Sequence, residues 1–119
     1  MNSIEINNIL SAYPNLTSEG FEHSNTLKGR PINVKEVDKA IRWLKYNKTR
    51  ESFNRRWTTY GLKHIAEKDQ DTYIPNGAFI CGAIGLGYKV KPIHNSPNAY
   101  INISSSLRGE KGDCRYGRR

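Results

Sequence analysis

Thr59-Tyr-Gly-Leu-Lys-His-Ile-Ala-Glu-Lys-Asp-Gln-Asp-Thr-Tyr73-Ile-Pro-Asn-Gly-Ala-Phe-Ile-Cys-Gly-Ala-Ile-Gly-Leu-Gly-Tyr88-Lys-Val-Lys-Pro-Ile-His-Asn-Ser-Pro-Asn-Ala99-Tyr-Ile-Asn-Ile103 is the stretch around which the chain is organised. Leu62, Ile65 and Ala66 recur at the three-to-four spacing of an amphipathic helix. The polar turn Asp69-Gln-Asp-Thr ends it. A second helix is expected from Asn76, whose side chain suits an N-cap, to Gly87, which suits a C′ position. Its apolar set is Phe79, Ile80, Ala83, Ile84 and Leu86. Val90 and Ile93, then Tyr100, Ile101 and Ile103, are β-favouring residues on either side of a His94-Asn-Ser-Pro-Asn turn. The order is helix, turn, helix, strand, turn, strand.

Two crossing helices with a hairpin behind them resemble a winged helix-turn-helix over about forty-five of the 119 residues. The segment is also similar to small proteins of phages and plasmids. The resemblance implies an α+β fold, a small winged-helix-like domain of three to four helices followed by a two-stranded antiparallel β-hairpin. Helices are expected near 34–46, 59–68 and 76–86, with strands near 88–93 and 99–103.

Working outward, residues 34 to 46 carry the clearest helix. Asn33 is its expected N-cap, with Glu36 three residues on, a capping-box-like spacing. Val34, Val37, Ile41 and Leu44 form a stripe, and Lys35, Lys39, Arg42 and Lys45 take other faces. Trp43 lies off the stripe and reads as partly buried packing. Val37, Ile41, Leu44, Leu62, Ile65, Phe79, Ile80, Ala83 and Ile84 are expected to be buried together. Ser3 to Tyr13 reads as a short helix capped by Ser3 and stopped by Pro14. Asn15 to Arg30 reads as loop, with Leu16, Phe21 and Leu27 as its anchors. The chain therefore divides into an N-terminal helix and loop (1–30), a core (31–104) and a basic, disordered tail (105–119).

The formal charge of +8 is unevenly spread. Residues 1 to 27 hold Glu5, Glu19 and Glu22 without Lys or Arg, whereas residues 28 to 56 hold ten Lys/Arg against Glu36, Asp38 and Glu51. Clustered positive charge points to a polyanion, most often nucleic acid. The expected contacts are Lys45, Lys48, Arg50, Arg55 and Arg56, with Asn76, with Lys89 and Lys91 on the hairpin, and with Arg115, Arg118 and Arg119 in the tail. Phe53 and Trp57 interleave with the basic run, as suits bases, although both can instead anchor the segment to the core, the favoured reading for Trp57.

A helix that reads bases normally carries Arg, Lys, Asn or Gln. Residues 77 to 87 contain none of these. Contact mainly with phosphates is the consequence, with DNA favoured over RNA. The rival reading is a phage- or plasmid-encoded inhibitor of a host protein complex, as anti-CRISPR proteins are.

Catalysis is not expected. Gly82, Gly85 and Gly87 fall within and at the end of a helix, not in the strand-to-helix turn a phosphate loop needs. Cys81 with His64 or His94 would be a nucleophile and base, but an apolar helix makes an inert buried thiol. Glu67, Asp69 and Asp71 read as solvated turn residues. No cofactor, metal or disulfide is expected, since Cys81 and Cys114 have no partners at ligand spacing. The chain has no apolar run near the roughly 20 residues of a membrane span and no secretion signal, so a cytoplasmic setting is expected.

Overall fold

The computed structural model describes residues 1–23 and 29–108. They form α1 (Ser3–Ala12), β1 (Leu16–Thr17), β2 (Gly20–Phe21), α2 (Val34–Leu44), α3 (Thr59–Gln70), α4 (Asn76–Gly85), β3 (Val90–Pro92) and β4 (Ala99–Ile101). The fold is α+β, with two two-stranded antiparallel sheets, β1–β2 and β3–β4. The basic tail expected at 105–119, including Cys114, Arg115, Arg118 and Arg119, lies from residue 109 onward outside the described residues, as does Leu27.

Local chemistry sets the ends of the helices. Asn33 caps α2 by accepting from the amides of Lys35 and Glu36. Thr58 caps α3 by accepting from the amide of Gly61. Gly87, just past α4, has φ +92°, the left-handed conformation that favours glycine at C′. Two expected caps are different. Asn2, not Ser3, caps α1, in a full capping box with Glu5. Pro75 stands at the N-cap of α4 and offers no side-chain oxygen. Asn76 is turned away to other work.

α4 is the centre of the molecule. Asn76 through Ala83 are all buried. α2, α1, α3, both strands of the N-terminal hairpin and β3 pack around it. A helix apolar on every side is a core helix. The expected single core is therefore split across α4. Phe79 and Ala83 join Ala40, Trp43, Leu44, Leu62, Ala66, Ile74, Tyr88, Ile101 and Ile103. Ala78, Ile80 and Cys81 join Ile6, Leu16, Phe21, Val37 and Ala99 on the other side. Ile41, Ile65 and Ile84 are only half-buried.

Trp43 corrects its expected place, because it is 0 % exposed. It lies about 60° around the helix from Ala40, at about 100° per residue. Both α3 and α4 pack on α2, which widens the buried sector beyond a single stripe.

The N-terminal segment is more ordered than a loop. Leu16 pairs with Phe21 and Thr17 with Gly20, and Leu16 and Phe21 are buried against α4. The hairpin sits hard against the start of that helix. The Gly77 amide donates to the Ser18 carbonyl at 2.9 Å. A Cβ on Gly77 would fall 1.6 Å from the Thr17 carbonyl oxygen. Gly77→Ala is therefore expected to destabilise by about 1–3 kcal/mol, as overpacking does, despite a gain of up to about 1 kcal/mol in helix propensity. Urea unfolding measures it. A more stable variant would mean that the hairpin does not pack there.

Candidate nucleic-acid interface

Several of the basic residues lie on or beside one small sheet. β3 and β4 pair with Val90 opposite Ile101, Lys91 opposite Tyr100 and Pro92 opposite Ala99. Ala99, Ile101 and Ile103 point into the core at 0 % exposure. Strand alternation then turns Tyr100 and Asn102 to the other face. The run from Lys48 to Arg56, expected to be a plain polar connection, is a third ribbon along β4. Thr49 bridges Ile103. The Arg50 amide donates to Asn102, Asn54 to Ile101, and Ser104 to Lys48. Across the sheet the order is β3, β4, then residues 48–54.

Two asparagines hold the ribbons in place. The Asn102 side chain accepts from the Lys89 amide and donates to the Arg50 carbonyl, both at 2.7 Å. It thereby staples all three ribbons. Asn54 donates to the Ile103 carbonyl at 3.3 Å and accepts from the Arg56 amide at 3.0 Å. Both are buried, where an unmade hydrogen bond would be costly. Neither was singled out in the sequence. Only pairing across the sheet gives an asparagine this role, and spacing along the chain does not report it.

The structure sorts the candidate contacts. Lys45, Lys48, Arg55, Lys89 and Lys91 are exposed, and none has an acidic partner among the described residues. Lys45 and Lys48 flank the end of α2, with the Lys45 ammonium 5.2 Å from the Tyr46 ring. Arg55 lies over Tyr100, its guanidinium carbon 5.1 Å from the ring centroid. Arg56 lies over Trp57 at 5.2 Å, and Trp57 itself packs on the core.

Arg50 is spent on the fold, donating to the Ser52 and Phe53 carbonyls and the Ser105 hydroxyl. Asn76 is 6 % exposed. Its amide nitrogen reaches the Glu19 and Pro97 carbonyls and the Asn98 side chain. It knits the N-terminal hairpin to the β3–β4 turn and has no face toward solvent. Three other cations are paired: Arg30 with Glu36, Lys63 with Glu67, and Arg108 with the fully buried Asp69 carboxylate.

α1 and β1–β2 lie over α4. The β3–β4 turn is tied down as well. The Phe21 amide donates to the Pro97 carbonyl at 2.9 Å, and the His23 ring reaches the Ser96 carbonyl. The flanks of the sheet that carry Lys48, Arg55, Lys89 and Lys91 are open to solvent.

Burial raises the Cys81 thiol to about 11, so it is protonated and unreactive at neutral pH. Burial likewise raises the Tyr88 phenol to about 12, with its hydroxyl 2.8 and 3.0 Å from the Leu44 and Asn47 carbonyls. No group of three or more His, Cys, Asp or Glu that could hold a metal occurs among the described residues. None of their helices is long and apolar enough to cross a membrane. No protein-family model, curated protein or solved structure matches the chain.

Proposed function

We propose that the protein is a non-enzymatic nucleic-acid-binding module that grips the phosphate backbone through its basic sheet. The observation that carries this reading is the placement of Lys45, Lys48, Arg55, Lys89 and Lys91. All five are exposed, unpaired among the described residues, and set on or beside three adjacent ribbons. Five like charges on or beside one sheet suit a polyanion, whose condensed counterions are released to bulk solution when the cations take their place.

The element order supports a winged-helix-like reading of residues 34–103. A helix (α2), a short edge ribbon, two helices (α3 and α4) and a hairpin follow one another, and the edge ribbon pairs with the last strand. The surfaces such a domain would place in a groove are nevertheless covered by residues 1–23. Binding that ignores base identity follows, because phosphate contacts position a protein without reading sequence.

The test compares two duplexes of equal length and unrelated sequence, titrated at low salt. Affinities within about threefold are expected; a specific reader separates them by orders of magnitude. If neither duplex nor any single strand binds at low salt, the basic face serves an acidic protein surface. The rival inhibitor of a host complex then takes its place.

A further inference from the structure

Rows of side chains across the sheet carry more information than charge alone. Lys91 stands directly opposite Tyr100, so the two side chains share the outer face. On the other flank, Arg55 stacks over the same ring at 5.1 Å. A half-exposed aromatic thus lies between two unpaired cations, with ribbons spaced at about 4.8 Å. Resting on the backbone-binding reading above, we infer that this row is a stacking platform for an unpaired base. The preferred ligand is then single-stranded nucleic acid.

The chemistry matches each part. An unstacked base has a free π-face for Tyr100, and the exposed Arg55 side chain, which lies over that ring in the free protein, would swing out to admit the base and close over its other side. Lys91 and Lys89 meet the phosphates on either side of that nucleotide. A duplex keeps its base faces stacked inside, so Tyr100 has nothing to meet there. The helix that would fill a major groove is buried, and the β3–β4 turn is fastened to β2 and α4. Every open feature of this face therefore suits a flexible strand lying across the sheet.

The experiment titrates wild type, Tyr100→Ala and Tyr100→Phe with labelled oligo-dT, oligo-U and a mixed-sequence duplex of equal length. Wild type should bind a single strand more tightly than the duplex. Tyr100→Ala should weaken single-strand binding by about 5- to 100-fold, the range for one lost base stack, with an unchanged salt slope. Duplex binding should stay within about twofold, and Tyr100→Phe should behave as wild type. Where the alanine variant fails to fold, Tyr100→Leu keeps the apolar bulk and removes the ring. Salt-dependent binding that favours duplex, or that Tyr100→Ala leaves equal on both forms, overturns the stacking platform and leaves backbone binding standing. Absence of binding to all three probes overturns both.

Discussion

Trp43→Ala is expected to destabilise the fold by about 3–5 kcal/mol, the range for truncating a fully buried aromatic side chain. The ring is 0 % exposed and lies 6.0 Å from the Phe79 ring, tilted by 39°. Its Nε1 donates to the Arg108 carbonyl at 3.0 Å. Truncation would open a cavity where α2, α3 and α4 meet and leave that carbonyl without its donor. The loss is a large fraction of the roughly 5–15 kcal/mol that holds a domain folded. Trp43→Phe should keep most of the packing and give up mainly the hydrogen bond, typically about 1 kcal/mol. Urea unfolding followed by far-UV circular dichroism measures both. A loss under about 0.5 kcal/mol for Trp43→Ala, typical of a surface site, would show that α2 does not turn this residue inward.

The second large effect is electrostatic. Arg55→Ala with Lys91→Ala removes two exposed cations from the outer face of the sheet. Neither makes a salt bridge among the described residues, so stability should change by no more than about 0.5 kcal/mol each. Binding should weaken by about 1–2 kcal/mol in total, at up to about 1 kcal/mol per screened surface charge pair. The log–log salt slope should flatten by about two, one for each phosphate contact removed. The loss should be uniform across sequences. Arg50→Ala should behave in the opposite way. Its guanidinium bonds to Ser52, Phe53 and Ser105, so its removal should lower stability more than it alters the slope.

Most of the fold was legible because its signals are local. The α2 stripe, the Asn33 cap, the Gly87 C′ residue and the Pro/Asn/Ser turn each act within a few residues. Two extended segments were not. β1 and β2 are two residues long, too short for alternation to register. The 48–54 ribbon is polar and bends at residues 51 and 52, so only its pairing with β4 marks it as sheet. The absence of charge in 77–87 was visible and had a simple cause over most of its length: α4 is buried from Asn76 to Ala83, so it is core. For the candidate site, charge density pointed to Lys45, Lys48, Arg55, Lys89 and Lys91, which are exposed. Composition could not separate them from Arg50, which bonds to the nearby Ser52 and Phe53 and the distant Ser105, or from Asn76, whose partners are all distant in sequence. It also gave no sign that Tyr100, 45 residues after Arg55, lies beneath it.

The salt dependence of wild-type binding tests the central claim most directly. Fluorescence anisotropy of a labelled single strand and a labelled duplex, titrated between about 50 and 200 mM salt, gives the observed association constants. If Lys45, Lys48, Arg55, Lys89 and Lys91 each meet a phosphate, log K should fall linearly with log salt. The slope should be about −3 to −5, from about 0.7 to 0.9 ions released per contact. A slope near zero, or no binding at the lowest salt, would contradict the claim that this sheet grips a nucleic-acid backbone.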